Sequence, residues 1–370
     1  MKIALVHDQL KDFGGAERVL IALKRIYPEA PIYTAFVDRK KLKHFAPESG
    51  SWDIHVSWFG KIPFTSKLYI YSALRFLAPF IWESFDLSGY DVVISSSGWY
   101  MSKGVITRPE TTHISYIHHP PKFLYYYDTS KDWQKHWPVR IYGHFINHFL
   151  RMWDYISSQR PDILVANAQE TRLRLAKYYS RDSLVIYPPV HIPDTFDTAI
   201  LSKKKAYFVT MSRLVSTKNI DLLIKAANKY GFALKVIGKG PQAEELQKLA
   251  GPTVEILGFL PDRDFASLFH HAKAFLNAAV DEEFGIAPVE AMSHGIPVLA
   301  YASGGLKETV VPGKNGYLYD KLTIEAIGEV VNKFEKLSPA DDKTMRLKAR
   351  QESEKYSERE FERKIKELVG

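Results

Sequence analysis

The run Asp281-Glu282-Glu283-Phe284-Gly285-Ile286-Ala287-Pro288-Val289-Glu290 sets two carboxylates, Glu282 and Glu290, around a glycine turn that opens onto an apolar, helix-compatible stretch. Pro288 sits where the first turn of a helix tolerates a missing N–H. The backbone N–H groups of Gly285 and Ile286 would then point out of a helix N-terminus, a position that suits an anion such as phosphate. Glu290, about one turn into the helix, can accept a pair of hydroxyl donors such as those of a ribose, and Glu282 can address a second polyol. Alternatively, the two acids do no more than complement the helix dipole.

A second chemical element is Met211-Ser212-Arg213-Leu214-Val215-Ser216-Thr217-Lys218-Asn219, which leaves one strand and enters a helix with a cation on each side of the turn. Arg213 and Lys218 could neutralise a diphosphate leaving group without a metal ion. Two solvated loop charges are the plainer alternative. Val236-Ile237-Gly238-Lys239-Gly240 and Ser303-Gly304-Gly305-Leu306 end strands in glycine turns, as close backbone approach to a ligand requires.

In the first half, Gly14-Gly15 lies between a strand and a helix, within neither a dinucleotide nor a P-loop fingerprint, yet a Gly-Gly helix start still offers N–H groups to a phosphate. His118, in Ser115-Tyr116-Ile117-His118-His119-Pro120, ends another strand at the sheet edge where doubly wound folds hold ligands; taken alone, a strand-end histidine more often serves structure. His144 and His148 could share a helix face but no Glu follows in the His-Glu-x-x-His manner, so no metal site is expected. Asp262-Arg263-Asp264 reads as a helix cap after Pro261.

These residues need a scaffold, and the rest of the chain supplies its pattern. Short apolar runs alternate with helical periods, which predicts parallel sheets covered by helices, an α/β class. Strands are expected near Lys2–His7, Pro31–Phe36, Asp91–Ser95, His113–Ile117, Ile163–Ala166 and Ser183–Tyr187, then Tyr207–Ser212, Ala233–Ile237, Val254–Leu257, Ala274–Ala278 and Pro297–Tyr301. At 370 residues two domains are expected, each doubly wound. Three prolines in Tyr187-Pro-Pro-Val-His-Ile-Pro193 and the Lys203-Lys204-Lys205 run mark the hinge. The domains are then 1–190 and 191–345, with a terminal helical segment, 346–370, returning to the first.

Glu282, Phe284-Gly285, Glu290 and the Gly295-Ile296-Pro297-Val298 behind them resemble the signature of family 4 retaining glycosyltransferases, with Glu283 in place of the usual Gly. Met211–Asn219 is similar to that family's Gly-Arg-Leu-x-x-x-Lys-Asn, with Ser212 in place of Gly, and the His118 segment resembles its mannosyltransferase-like members of surface-polysaccharide pathways. The resemblance implies the GT-B architecture, two doubly wound Rossmann-like domains facing a cleft, with acceptor bound by the first and nucleotide sugar by the second. It implies catalytic roles for Arg213 and Lys218 on the diphosphate and for Glu282 and His118 on the sugar. Donor contacts are implied at Gly14, Gly15, Gly238, Phe259, Leu260, Phe284, Gly285, Ile286 and Glu290, with Phe259-Leu260 near the base. The implied reaction is retaining and metal-independent, with no cofactor, moving a hexose (mannose from GDP-mannose as first choice) to a glycan or lipid-linked acceptor. A UDP-sugar donor or a non-catalytic nucleotide-sugar-binding subunit is the alternative.

Charge points the same way. Residues 1–190 hold 24 Lys+Arg against 17 Asp+Glu, and all seven Trp, so the first half is basic and aromatic. That suits a lipid-diphosphate-linked acceptor at an anionic membrane surface, rather than nucleic acid, with residues 51–90 either an interfacial or acceptor-binding segment or simply core. The N-terminus reads as a strand without a secretory h-region, and no charge-free stretch reaches membrane-span length. With no Cys, the expected place is the cytoplasm, peripheral on the inner face of the membrane.

Overall fold

The structure, a computed structural model, describes the chain except residues 63–72, 130–136, 197, 202–204 and 261–264, and the side chains at 199, 200, 265 and 266. The expected Asp262-Arg263-Asp264 cap, Trp133 and residues 203–204 lie outside the described residues. The chain divides into two compact units, Met1–Pro189 with Arg359–Gly370, and Val190–Glu358, where the sequence reading breaks after 190 and 345.

In the first unit β1 (Ile3–His7), β2 (Ile32–Thr34), β3 (Ile54–Val56), β4 (Val92–Ser97), β5 (Thr112–Ile117), β6 (Ile163–Ala166) and β7 (Leu184–Val185) form one parallel sheet, ordered β3-β2-β1-β4-β5-β6-β7. Successive side chains of a strand point to opposite faces, and here both faces are apolar. Leu5, Ile32, Ile94 and Ile114 pack with the helix Gly15–Ile26 on one side, while Ala4, Val6, Tyr33 and Val93 pack with Trp82, Tyr100 and Trp153 on the other. The helix Glu358–Val369 lays Phe361 and Ile365, one turn apart, into the first of these cores, with Phe361 edge-on to Tyr116.

The second unit repeats the design with β8 (Tyr207–Met211), β9 (Leu234–Ile237), β10 (Val254–Gly258), β11 (Ala272–Asn277), β12 (Val298–Tyr301) and β13 (Gly316–Tyr319), all parallel and ordered β10-β9-β8-β11-β12-β13. Strand order reverses between β1 and β4 in one sheet and between β8 and β11 in the other. Loops leaving the carboxyl ends of strands at such a reversal diverge, and open α/β sheets hold ligands there.

Strands β3 and β13 are additions to the expected set. Ile54-His55-Val56 is too short to stand out as an apolar run, and β13 opens on glycine. Gly316 is required, since a Cβ there would lie 1.8 Å from the Val298 carbonyl oxygen. The interfacial reading of 51–90 is corrected at Trp52, Phe59, Ala78, Ile81, Trp82 and Leu87, which are core, while Trp58, Ile62 and Phe80 are exposed; its part in 63–72 lies outside the described residues.

One buried group makes the first unit acid-sensitive. His113 on β5 has its Nε2 paired with Ser95 Oγ at 2.9 Å, while its Nδ1 has no partner. Burial pushes its pKa down to about 3 from an ordinary 6.5, so the folded chain keeps it neutral where the unfolded chain takes a proton. The stability it contributes is complete above pH 6.5 and drains as pH falls from 6.5 towards 3, on the order of 2 kcal/mol by pH 5. His113→Leu is therefore expected to flatten the decline of unfolding free energy between pH 7 and 5, measured by urea titration; an unchanged slope would contradict this.

Candidate functional site

In the second unit, five neighbouring strands deliver their C-terminal loops to one edge. Gly258-Phe259-Leu260 follows β10, Gly238 follows β9, Arg213 follows β8, Glu282 follows β11 and Gly304-Gly305 follows β12. Backbone contacts fuse these loops. Val280 N–H donates to Thr217 O at 3.0 Å, Asn219 Nδ2 to Ala278 O at 3.0 Å, and Gly305 N–H to Glu282 O at 2.8 Å. A Cβ at Gly304, where φ is +56°, would come within 2.0 Å of the Glu282 carbonyl oxygen, so only glycine lets the two loops touch. The turn at Gly238 is pressed against Ser212 in the same way, a Cβ lying 1.8 Å from Ser212 O.

The charged side chains meet at the strand reversal. Lys218 Nζ donates to Glu282 Oε2 in a partly exposed ion pair joining the β8 loop to the β11 loop. Arg213, on the same β8 loop, is exposed. Gly285 caps the helix Ile286–Ser293 in the left-handed region, φ +89°, which turns the chain so that the first-turn N–H groups of Ile286 and Ala287 face out without intrahelical acceptors. Two cations and an open helix N-terminus on fused loops can hold a dianionic group, and Phe259, half exposed with Lys239 Nζ 5.3 Å from its ring centre, adds a flat apolar surface.

The first unit builds a different arrangement at its own strand reversal. His118, at the end of β5, pairs through Nε2 with Ser96 Oγ of β4 at 2.8 Å, and the same hydroxyl meets His7 Nδ1 of β1 at 3.1 Å. His7 Nε2 faces Glu17 Oε1 at 3.7 Å, Glu17 standing in the first turn of the helix that Gly14 caps. At that distance His7 Nε2 makes no hydrogen bond, and the Ser96 hydroxyl, which both donates and accepts, can serve one ring as donor and the other as acceptor. The chain of contacts thus holds the His118 ring through three strands. Asp8, buried beside it, accepts from the backbone N–H groups of Gly98, Tyr100 and Ser102 at 2.8–2.9 Å and pins the loop after β4.

The family model for glycosyl transferases group 1 matches residues 193–355. These residues resemble a group 1 glycosyltransferase domain. A GDP-mannose-dependent alpha-(1-6)-phosphatidylinositol monomannoside mannosyltransferase from Mycolicibacterium smegmatis is 30% identical over 46% of this chain and 52% of its own length. An alpha-1,3/1,6-mannosyltransferase from Debaryomyces hansenii is 26% identical over 84% of this chain and 76% of its own. The chain thus spans about half the length of the first of these curated relatives. Anabaena HepE, solved in complex with UDP, superposes with a TM-score of 0.73 at 18% identity over 100% of this chain and 99% of HepE, which shows the shared fold of two Rossmann-like units.

Within the second unit, Arg213, Lys218, Gly238, Phe259, Leu260, Glu282, Gly285 and Ile286 come to one sheet edge. Phe284 does not present its ring there. It is 2% exposed and packs edge-on to Tyr356, so it props the turn from beneath; a donor contact by its side chain is corrected to a structural one. Glu290 is 8% exposed, its helix lying against the core. Gly14 is extended, φ −157°, and so is not needed for a left-handed turn; a Cβ there would crowd Glu17 Oε2 at 3.3 Å. Among the described residues no group of three or more His, Asp or Glu is arranged to hold a metal.

Sequence reasoning gave no role to His7, Asp8 or Ser96. The adjacent His7-Asp8 pair at the very end of an apolar strand was the available signal, because polar side chains at a strand's carboxyl end either touch ligand or hold the loops that do. Among described residues no helix is long and apolar enough to cross a membrane.

Proposed function

We propose that the chain is a retaining, metal-independent glycosyltransferase without a cofactor, moving a hexose from a nucleotide diphosphate sugar to a glycan or lipid-diphosphate-linked acceptor in surface-polysaccharide assembly, at an anionic membrane face. The observation that carries this reading is the placement of Arg213, the Lys218–Glu282 pair and the Gly285 helix start on the loops at the strand reversal of the second unit. As the bond between the anomeric carbon and the phosphate oxygen breaks, charge grows on the leaving diphosphate. Arg213, Lys218 and the N–H of Ile286 stabilise it where it develops. The acceptor hydroxyl attacks from the face the diphosphate leaves, its proton passing to a phosphate oxygen, and the anomeric configuration is retained. Glu282 and His118 position sugar hydroxyls and Glu290 the ribose. His118 is suited to this because Ser96 and His7 hold its ring.

The name of the mycobacterial relative favours GDP-mannose as donor. The UDP in the HepE complex favours the second reading, a UDP-sugar. A thermal-shift series with GDP-, UDP-, ADP- and dTDP-sugars separates them: GDP-mannose is expected to raise the melting temperature most. A larger shift with a UDP-sugar moves the reading to that donor, and no shift with any would overturn it.

A further inference from the structure

The helix Trp137–Ser158 in the first unit buries Leu150 and Trp153 in the core but turns a second apolar face outward. Trp137, Ile141, Phe145, Phe149, Met152 and Ile156 are all exposed, Phe145 by 70%, while Asn147, Asp154, Ser157 and Ser158 are buried. At 100° per residue the six fall within an arc of about 120° and run for roughly 29 Å along the axis. No acid shares this face: the helix's one carboxylate, Asp154, is buried against Lys103 and Tyr125. Arg140, His144, His148 and Arg151, spaced four, four and three apart, line one edge of the stripe.

The buried face is firmly held, so the exposed one is not a loosely packed core surface. Arg75 Nη2 donates to Asn147 Oδ1 at 2.8 Å, Arg151 Nη1 to Leu124 O at 3.1 Å, and Trp153 Nε1 to Glu83 Oε1 at 3.4 Å. A rigid helix with an outward apolar stripe and a cationic border matches a surface whose own border is anionic and whose interior is hydrocarbon. A second copy of the helix would set cations against cations.

We infer that the helix Trp137–Ser158 lies in the headgroup region of an anionic lipid bilayer, its aromatic and aliphatic stripe inserted and Arg140 with its neighbours on lipid phosphates. Apolar burial supplies attachment, and the basic edge supplies preference for anionic lipid. The inference rests on the membrane part of the proposed function and assigns that contact to this helix.

Flotation of the full chain with phosphatidylcholine vesicles, with and without about 30% phosphatidylglycerol, tests it at low salt. The expected result is binding to the anionic vesicles, reduced about fivefold or more by Phe145→Gln with Phe149→Gln and, separately, by Arg140→Glu. Far-ultraviolet circular dichroism and stabilisation by donor should be the same in all three proteins. No flotation, or flotation undiminished in the variants, overturns the inference. So does a dimer in sedimentation velocity that the double variant splits, which assigns the face to a second copy. Failure here with donor stabilisation intact leaves the transferase reading standing; loss of donor stabilisation in the wild type would fall on that reading instead.

Discussion

Arg213→Ala and Lys218→Ala are each expected to lower sugar transfer by about 10³-fold, the scale seen when one donor to a developing charge is removed. Arg213 is exposed, so its removal should leave the melting temperature almost unmoved and fall on turnover. Lys218 differs because Glu282 already holds it. A diphosphate must share that ammonium with the carboxylate or draw it away, and the two variants of the pair should therefore diverge. Glu282→Gln leaves the lysine wholly to the phosphates: nucleoside diphosphate should bind several-fold tighter while transfer falls about 10²-fold, because the sugar hydroxyls exchange a charged two-oxygen acceptor for a neutral amide with one acceptor oxygen. Lys218→Ala should weaken both. Rates from initial-velocity assays and affinities from competition by free nucleoside diphosphate separate these outcomes; equal losses of affinity in Glu282→Gln and Lys218→Ala would contradict the assignment.

Asp8→Ala is expected to be the most damaging single change in the first unit, about 3–5 kcal/mol off its unfolding free energy. Its carboxylate is 5% exposed and satisfies three backbone N–H groups of one loop. Without it those donors are buried and unpaired. The loop also holds Met101 at φ +63°, a conformation that a non-glycine residue keeps only when its surroundings enforce it. Ser102 Oγ donates to Ser96 O at 3.0 Å, so release of the loop should loosen the residue that fixes His118. Transfer should fall along with stability, and Asp8→Asn should recover part of each. Wild-type denaturation of Asp8→Ala in urea would refute this role.

How far the residues announce this arrangement differs by kind. Strands buried on both faces, such as Val298–Tyr301, announce themselves as continuous apolar runs, and the glycine turns at 238 and 304 mark where loops must touch. The Lys218–Glu282 pair is not legible. The two lie 64 positions apart, and they meet only because β8 and β11 are neighbours, a matter of strand order. Phe284 shows a second limit: a motif position fixes the backbone of the turn but not whether the ring faces ligand or core. The helix Trp137–Ser158 shows a third. Its apolar period is plain in the sequence, yet periodicity identifies a face without saying that the face is turned to solvent. Residues 51–90 show the converse at Trp52, Phe59 and Trp82, aromatics that fit an interfacial pattern and lie in the core.

The central claim is that the β8–β11 reversal of the second unit is a diphosphate site. Calorimetric titration of GDP and of UDP into the wild-type chain and into Arg213→Ala tests it most directly. The expected result is one site per chain for at least one of the two nucleotides, weakened about tenfold or more by the substitution and indifferent to chelator. Binding that Arg213→Ala leaves unchanged, or the failure of both nucleotides to bind the wild type, would contradict it.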